Sequence, residues 1–226
     1  DMKVIARIRT EFPSKFGIPR QSGLVRELKA KIVFEPEYRN PEALRGLEEY
    51  SYLWLIWEFS EAKRETWSPT VRPPRLGGNK RMGVFATRSP FRPNPLGLSA
   101  VEIDRIELGT EEGPIIWVRG ADLMDGTPIF DIKPYLPHVD SHPEARGGFA
   151  LPVSGYALEV VIPDIWLEKI PEEERDSLRG VLAQDPRPSY QKDPERIYGF
   201  PFAGKEIRFQ VRERVLTVCE VEEKKE

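Results

Sequence analysis

Three segments of the 226-residue chain concentrate side chains able to do chemistry. The densest reads Asp122-Leu-Met-Asp125-Gly-Thr-Pro-Ile-Phe-Asp131-Ile-Lys133-Pro-Tyr135 and places three carboxylates, a lysine and a phenol within 14 residues. Asp131 and Lys133 stand two apart in a strand-like run, so they share a face. Such a pair can shift each other's pKa and move a proton, or it can be a surface ion pair of little energetic value. Asp125, standing before glycine, reads equally as a turn residue bonding its own backbone. The second segment is Arg72-Pro-Pro-Arg75 with Gly77-Gly78, followed by Arg81-Met-Gly-Val-Phe-Ala-Thr-Arg88-Ser-Pro-Phe-Arg92-Pro-Asn94-Pro. Its arginines offer phosphate contacts, its rings offer stacking faces, and its prolines reduce the entropy lost when such a loop is ordered on a ligand. The third is Pro19-Arg20-Gln21, where a loop arginine can present a fixed fork to a carboxylate or phosphate.

Familiar cofactor and metal signatures are missing. There is no G-x-G-x-x-G, no G-x-x-x-x-G-K-[ST] and no G-x-S-x-G, so Rossmann, P-loop and hydrolase-elbow sites are not indicated. With two histidines (His138 and His142, separated by four and followed by Pro143) and one cysteine, neither a zinc site nor a disulfide framework is expected. Cys219 lies in a strand pattern and reads as buried, and Trp54 and Trp57 read as core residues. No apolar run approaches the roughly 18 residues needed to span a bilayer, and no basic-then-apolar leader opens the sequence. The expected setting is the cytoplasm, with no membrane association.

Net charge is only −3, yet its distribution is uneven. From Lys63 to Arg92 eight basic residues (Lys63, Arg64, Arg72, Arg75, Lys80, Arg81, Arg88, Arg92) face one acid, Glu65, whereas acids gather at 168–176 and after Glu220. A locally basic surface on an acidic protein fits an anionic ligand bound at one face; a solvated loop without a partner has the same composition.

The elements that must position these segments are short and punctuated. The chain holds 22 prolines, about twice the usual frequency of roughly 5%, dispersed through apolar sequence as in a fold of shaped loops. Alternation predicts strands over Lys3–Thr10, Lys31–Phe34, Met82–Thr87, Leu98–Leu108, Ile115–Val118 and Ile129–Ile132. Tyr50–Phe59 is almost continuously apolar, which predicts a strand buried on both faces. Pro41–Leu47 predicts a single helical turn, and residues 66–81 a long ordered loop or flap. So many short strands with little helix indicate closed or half-closed antiparallel β structure. After a linker over 138–152, the pattern changes to a strand (Tyr156–Ile162), a helical region opening at Pro163-Asp164, and a closing hairpin (Ile207–Val211, Val215–Val221). The expectation is mainly β: a barrel domain over 1–150 and an α+β subdomain over 151–226.

The runs Arg72–Asn79, Arg81–Ser99 and Asp125–Tyr135 resemble the TsaA-like family, and Val181-Leu-Ala-Gln-Asp-Pro-Arg-Pro-Ser-Tyr190 resembles the extra subdomain of its bacterial members. The resemblance spans nearly the whole chain. It implies a small non-Rossmann β-barrel, usually homodimeric, that binds S-adenosylmethionine. It also implies N6-methylation of N6-threonylcarbamoyladenosine at tRNA position 37, beside the anticodon. Cofactor positions carried over are Pro19, Arg20, Gln21, Phe59, Ser60, Arg88, Leu98 and the stretch Arg119, Gly120, Ala121, Asp122; some relatives carry histidine at Ser60. For the proton that must leave the urea-like nitrogen, Asp131 comes first as acceptor, then Asp122 and Tyr135. Lys133 and Arg92 would hold the threonyl carboxylate or a phosphate, with Arg72, Arg75 and Asn94 as further contacts to the anticodon loop.

Two other readings share these residues. A non-catalytic RNA-binding barrel would use the same basic loop but ignore S-adenosylmethionine. A methyltransferase with a small-molecule acceptor would tolerate loss of Lys63, Arg64 and Lys80, whereas a tRNA enzyme would weaken and become more salt-sensitive.

Overall fold

The computed structural model describes residues 2–62, 65–150, 156–188 and 191–224. Lys63 and Arg64, part of the basic stretch, lie outside them, as do Ser189 and Tyr190. Twelve strands are described: β1 (Ala6–Arg9), β2 (Lys29–Phe34), β3 (Tyr52–Glu58), β4 (Thr70–Val71), β5 (Met82–Gly83), β6 (Leu96–Thr110), β7 (Gly113–Arg119), β8 (Pro128–Pro134), β9 (Glu159–Val161), β10 (Tyr198–Phe202), β11 (Lys205–Arg212) and β12 (Val215–Glu223).

Six of them close a barrel in the order β1-β2-β7-β6-β3-β8, with every neighbouring pair antiparallel. Closure removes the exposed edges an open sheet would leave. Alternate residues fill the interior: Ala6 and Ile8, Ala30 and Ile32, Leu53, Leu55 and Trp57, Val101, Ile116 and Val118, and Ile129. Burial along β3 therefore alternates, with Leu53, Leu55 and Trp57 inside while Trp54 and Ile56 are only half-buried on the outer wall. The expectation of a strand buried on both faces is corrected here. Its outer aromatic residues are shielded instead by one another and by the segment after β8, where the Trp54 indole donates to Asp140 at 2.9 Å.

Met82–Thr87 is not one strand. β5 pairs briefly with β4, and a 3-10 turn follows over Val84–Ala86. The 66–81 segment carries β4 and a turn at Pro74–Leu76, so the flap is a small two-stranded ribbon.

The C-terminal sheet runs β10-β11-β12-β9, with β9 parallel to β12. Two short helices, α1 (Pro137–Asp140) and α2 (Asp164–Leu167), precede α3 (Glu172–Ala183). Leu178, Val181 and Leu182 turn the apolar face of α3 into a second core with Ile207, Phe209, Leu216 and Val218. β10 was not anticipated, since Tyr198-Gly-Phe-Pro-Phe carries a glycine and a proline inside a strand. Cys219 is half-buried, not buried, because it alternates away from the core on β12.

The two cores meet at the segment between β1 and β2. Phe12, Val25 and Leu28 belong to the second core although they precede the barrel's second strand. Gly17, at φ +81°, lies so close to the Phe200 ring that a Cβ would come within 2.2 Å of it. On its other side this segment is tied to the end of β7: Gly23 N–H donates to Gly120 O and Gly120 N–H to Leu28 O, each at 2.8 Å. Pro19, Arg20 and Gln21 are thus held between a barrel end and the C-terminal sheet.

Candidate functional site

One end of the barrel carries a chain of polar groups through its wall. Register sets Trp57 opposite Gly97 and Leu55 opposite Ser99, all facing inward. The indole lies flat against Gly97, where a Cβ would meet it at 2.3 Å, so only glycine fits there. From that position the Trp57 indole donates to Ser99 Oγ at 3.0 Å, and Ser99 Oγ donates to Asp122 Oδ1 at 2.7 Å. Burial raises the Asp122 carboxyl above the ordinary aspartate range, partly offset by Ser99, by the backbone N–H groups of Asp122 and Ser22, and by the nearby Arg88 charge. A carboxylate with a raised pKa is a stronger proton acceptor than one in water.

Arg88 links this carboxylate to the segment between β1 and β2, donating from Nη1 to Gln21 Oε1 at 3.0 Å. Phe59, just past β3, packs its ring 4.3 Å from that of Trp57. Gly120 and Ala121 are buried beside them, Pro19 is buried, and Ser60 and Leu98 are exposed. The structure therefore gathers Gln21, Phe59, Arg88 and Gly120–Asp122 around one barrel end. Arg119 turns elsewhere, its guanidinium donating to Asp104 at 2.7 Å.

A cleft of about 1420 Å³ opens beside Arg88, lined by Arg20, Gln21 and Ala62, by the ribbon through Trp67, Arg72, Arg81 and Phe85, and by the loop from Thr87 to Pro93. Five arginines (Arg20, Arg72, Arg81, Arg88, Arg92) and one carboxylate (Glu65) line it among the described residues. Arg92 also braces its own loop, donating from Nη1 to Thr87 O at 2.9 Å. Asn94 is exposed in the turn that leads into β6, and of Arg75 only the backbone is described.

The remaining candidates lie on the outer wall of the barrel, in a turn, or in α1 and beyond. Asp131 sits opposite Ile56, and Lys133 opposite Trp54, on the outer wall of the barrel. They form an exposed ion pair at 3.1 Å, with 64% and 47% of the Lys133 and Asp131 side chains accessible. Tyr135 lies on the same outer face, its ring 5.6 Å from Trp54. Asp125 is a turn residue: its Oδ1 accepts from Thr10 N–H at 3.0 Å and Gly126 follows at φ +77°. His138 falls in α1 and His142 beyond it, and among the described residues no cluster of three or more His, Cys, Asp or Glu side chains could hold a metal ion. Among the described residues no helix is long and apolar enough to cross a membrane.

Ser99 and Trp67 were not singled out by sequence. Ser99 gains its role only from the pairing of β6 with β3, a long-range register that local pattern does not carry. Trp67 could have been found as an aromatic residue within the most basic stretch.

Fold and cleft together define a class: a closed antiparallel β-barrel with an arginine-lined cleft at one end, outside the Rossmann and P-loop architectures. The chain belongs to the TrmO family. Residues 7–141 match the tRNA-methyltransferase O N-terminal domain and residues 164–224 the TrmO C-terminal domain. It is 44% identical over 217 residues to the tRNA (adenine(37)-N6)-methyltransferase of Escherichia coli (strain K12), covering 93% of this chain and 91% of that one. A Pyrococcus abyssi protein named "Probable S-adenosyl-L-methionine-binding protein" is 35% identical over 145 residues, 64% of this chain and 73% of its own. The crystal structure of TrmO from Pseudomonas aeruginosa superposes with a TM-score of 0.79 at 32% identity, over 99% of this chain and 96% of that one.

Proposed function

We propose that this protein is an S-adenosylmethionine-dependent tRNA methyltransferase that transfers a methyl group to N6 of N6-threonylcarbamoyladenosine at position 37, beside the anticodon. The observation that carries this reading is the 44% identity to the tRNA (adenine(37)-N6)-methyltransferase of Escherichia coli along 93% of the chain. The barrel end supports it chemically. The donor set suits a molecule that combines an adenine, a ribose, a carboxylate and two cationic centres. The half-buried Phe59 ring, backed by Trp57, offers a face for the adenine, and the half-buried Asp122 carboxylate suits hydroxyl or ammonium donors. The Arg88 guanidinium, held by Gln21, suits the carboxylate of the methionyl group. When bound, S-adenosylmethionine supplies an already activated sulfonium methyl.

What the chain adds is alignment and a place for the proton. Displacement at an activated methyl needs chiefly proximity. A urea-like nitrogen is a poor nucleophile, so loss of its proton is the step a side chain can assist. We assign that proton to the Asp122 carboxylate, ahead of Asp131 and Tyr135. Asp122 is at the cofactor end and more basic than an ordinary aspartate, whereas Asp131 is ion-paired on the outer wall. Arg72 and Arg92 would hold phosphates or the threonyl carboxylate at the cleft. Residues 151–226 would give a substrate as large as tRNA a second contact surface. A homodimer in the cytoplasm completes the reading.

Calorimetry with S-adenosylmethionine tests the cofactor assignment. One molecule should bind per chain, and Arg88→Ala should weaken binding about 10-fold or more, the scale of one charge-assisted contact. No heat of binding with the folded wild-type protein would overturn it.

A further inference from the structure

Among the large apolar side chains left exposed, two stand together over the arginine-lined cleft. Trp67 is 53% and Phe85 73% exposed, and their rings stack at 6.1 Å between centroids with 26° between planes. Backbone holds them there. Trp67 enters β4 through Ser68 and Pro69, Phe85 leaves β5 through its 3-10 turn, and Val84 N–H donates to Pro69 O at 2.9 Å. Arg81, which donates from Nη1 to Thr70 Oγ1, and Arg72 lie on the same ribbon, and all four residues line the one cleft. Two aromatic faces exposed to water, set among guanidinium groups with a single carboxylate nearby, are unfavourable in isolation. They match a ligand that alternates flat apolar rings with negative charges, which describes an unpaired strand of nucleic acid.

We propose that Trp67 and Phe85 form a platform on which an unpaired nucleobase next to the methylated adenosine stacks, with Arg72 and Arg81 on the flanking phosphates. This rests on the tRNA reading above and identifies residues that select an opened anticodon loop. Stacking tolerates any base but requires that the base be unpaired, so the platform favours loop nucleotides over duplex.

The test is binding of a fluorescently labelled anticodon stem–loop RNA, followed by anisotropy across a salt series, with S-adenosylmethionine affinity measured on the same preparations. Trp67→Ala should weaken RNA binding about 5- to 100-fold while leaving the slope of log Kd against log salt unchanged, because stacking releases no counterions. Trp67→Phe should restore most of the affinity. Arg72→Ala, by contrast, should reduce the slope by about 0.7–0.9. Cofactor affinity should match wild type in all three variants. Equal RNA affinity for Trp67→Ala and wild type would overturn the platform while the tRNA reading stands. So would a loss that Trp67→Phe fails to restore and that lowers the salt slope as well, since it would mark a collapsed ribbon. Failure of the wild-type protein to bind the RNA would instead overturn the tRNA reading and the platform with it.

Discussion

At the scale of the residue, proton removal in the proposed reaction turns on one carboxylate. Asp122 is the end of a relay that starts at Trp57 and passes through Ser99, and burial leaves it more basic than a surface aspartate. If it accepts the substrate proton, only its ionised form works. The rate at saturating substrates should therefore fall as pH drops through a value above the ordinary aspartate pKa of about 3.9. Asp122→Asn should lower kcat at saturating cofactor about 10²–10⁴-fold and abolish that acid limb, in addition to weakening S-adenosylmethionine binding through loss of a charged acceptor. A variant with normal kcat and lost cofactor affinity would make Asp122 a cofactor ligand only. The Asp122–Tyr135 run stands out in the sequence because its residue types suit proton transfer, but the reading from the family resemblance puts Asp131 ahead of Asp122. What it could not convey is which wall of the barrel each carboxylate faces. Asp122 lies just past the end of β7, while Asp131 is on β8 opposite the outward Ile56. Only the closed register separates them.

At the scale of the element, the C-terminal sheet and α3 depend on a buried ion pair that follows the helix. Asp185, at φ +57°, accepts from Arg187 Nε and Nη2, each at 2.8 Å, and from the Tyr156 hydroxyl at 2.8 Å. Both charged residues are less than a tenth exposed. Burial alone would raise the Asp185 carboxyl, but the hydrogen bonds from Arg187 and Tyr156 outweigh it and leave it depressed. A carboxyl whose folded pKa is depressed contributes stability above its unfolded value, and that contribution is lost as pH falls through the depressed folded value. Arg187→Met strands the Asp185 charge in the interior and should cost about 3–5 kcal/mol in urea unfolding at neutral pH. Asp185→Asn with Arg187→Met should recover part of that loss and no longer show the pair's share of acid destabilisation, with asparagine tolerating the left-handed backbone. A loss under about 0.5 kcal/mol in the single variant would contradict the assignment. Elements with a clear period, such as β7, β8 and α3, are legible from alternation and apolar spacing. β10 is not, because its interior proline and glycine mimic a loop, and Met82–Thr87 imitates a strand although its apolar residues form a ribbon end and a turn.

At the scale of the whole molecule, an acidic chain of net charge −3 presents a basic face by gathering five arginines at one cleft. The face is assembled from sequence-distant parts. Arg20 is clamped between the barrel end at Gly120 and the C-terminal sheet at Phe200, Arg72 and Arg81 ride the β4–β5 ribbon, and Arg88 and Arg92 belong to the loop before β6. The excess of basic residues over 63–92 announced such a surface, whereas the docking of Phe12, Val25 and Leu28 into the second core did not show in sequence. The central claim is that this surface brings an anticodon loop to a methyl donor held at the barrel end. Its most direct measurement is methyl incorporation from isotopically labelled S-adenosylmethionine into tRNA with and without the threonylcarbamoyl group at adenosine 37. Incorporation is expected only into the modified tRNA, at N6 of that nucleotide, with a rate that falls as salt rises. Incorporation independent of the threonylcarbamoyl group, or none into either tRNA by a protein that binds the donor, would contradict the claim.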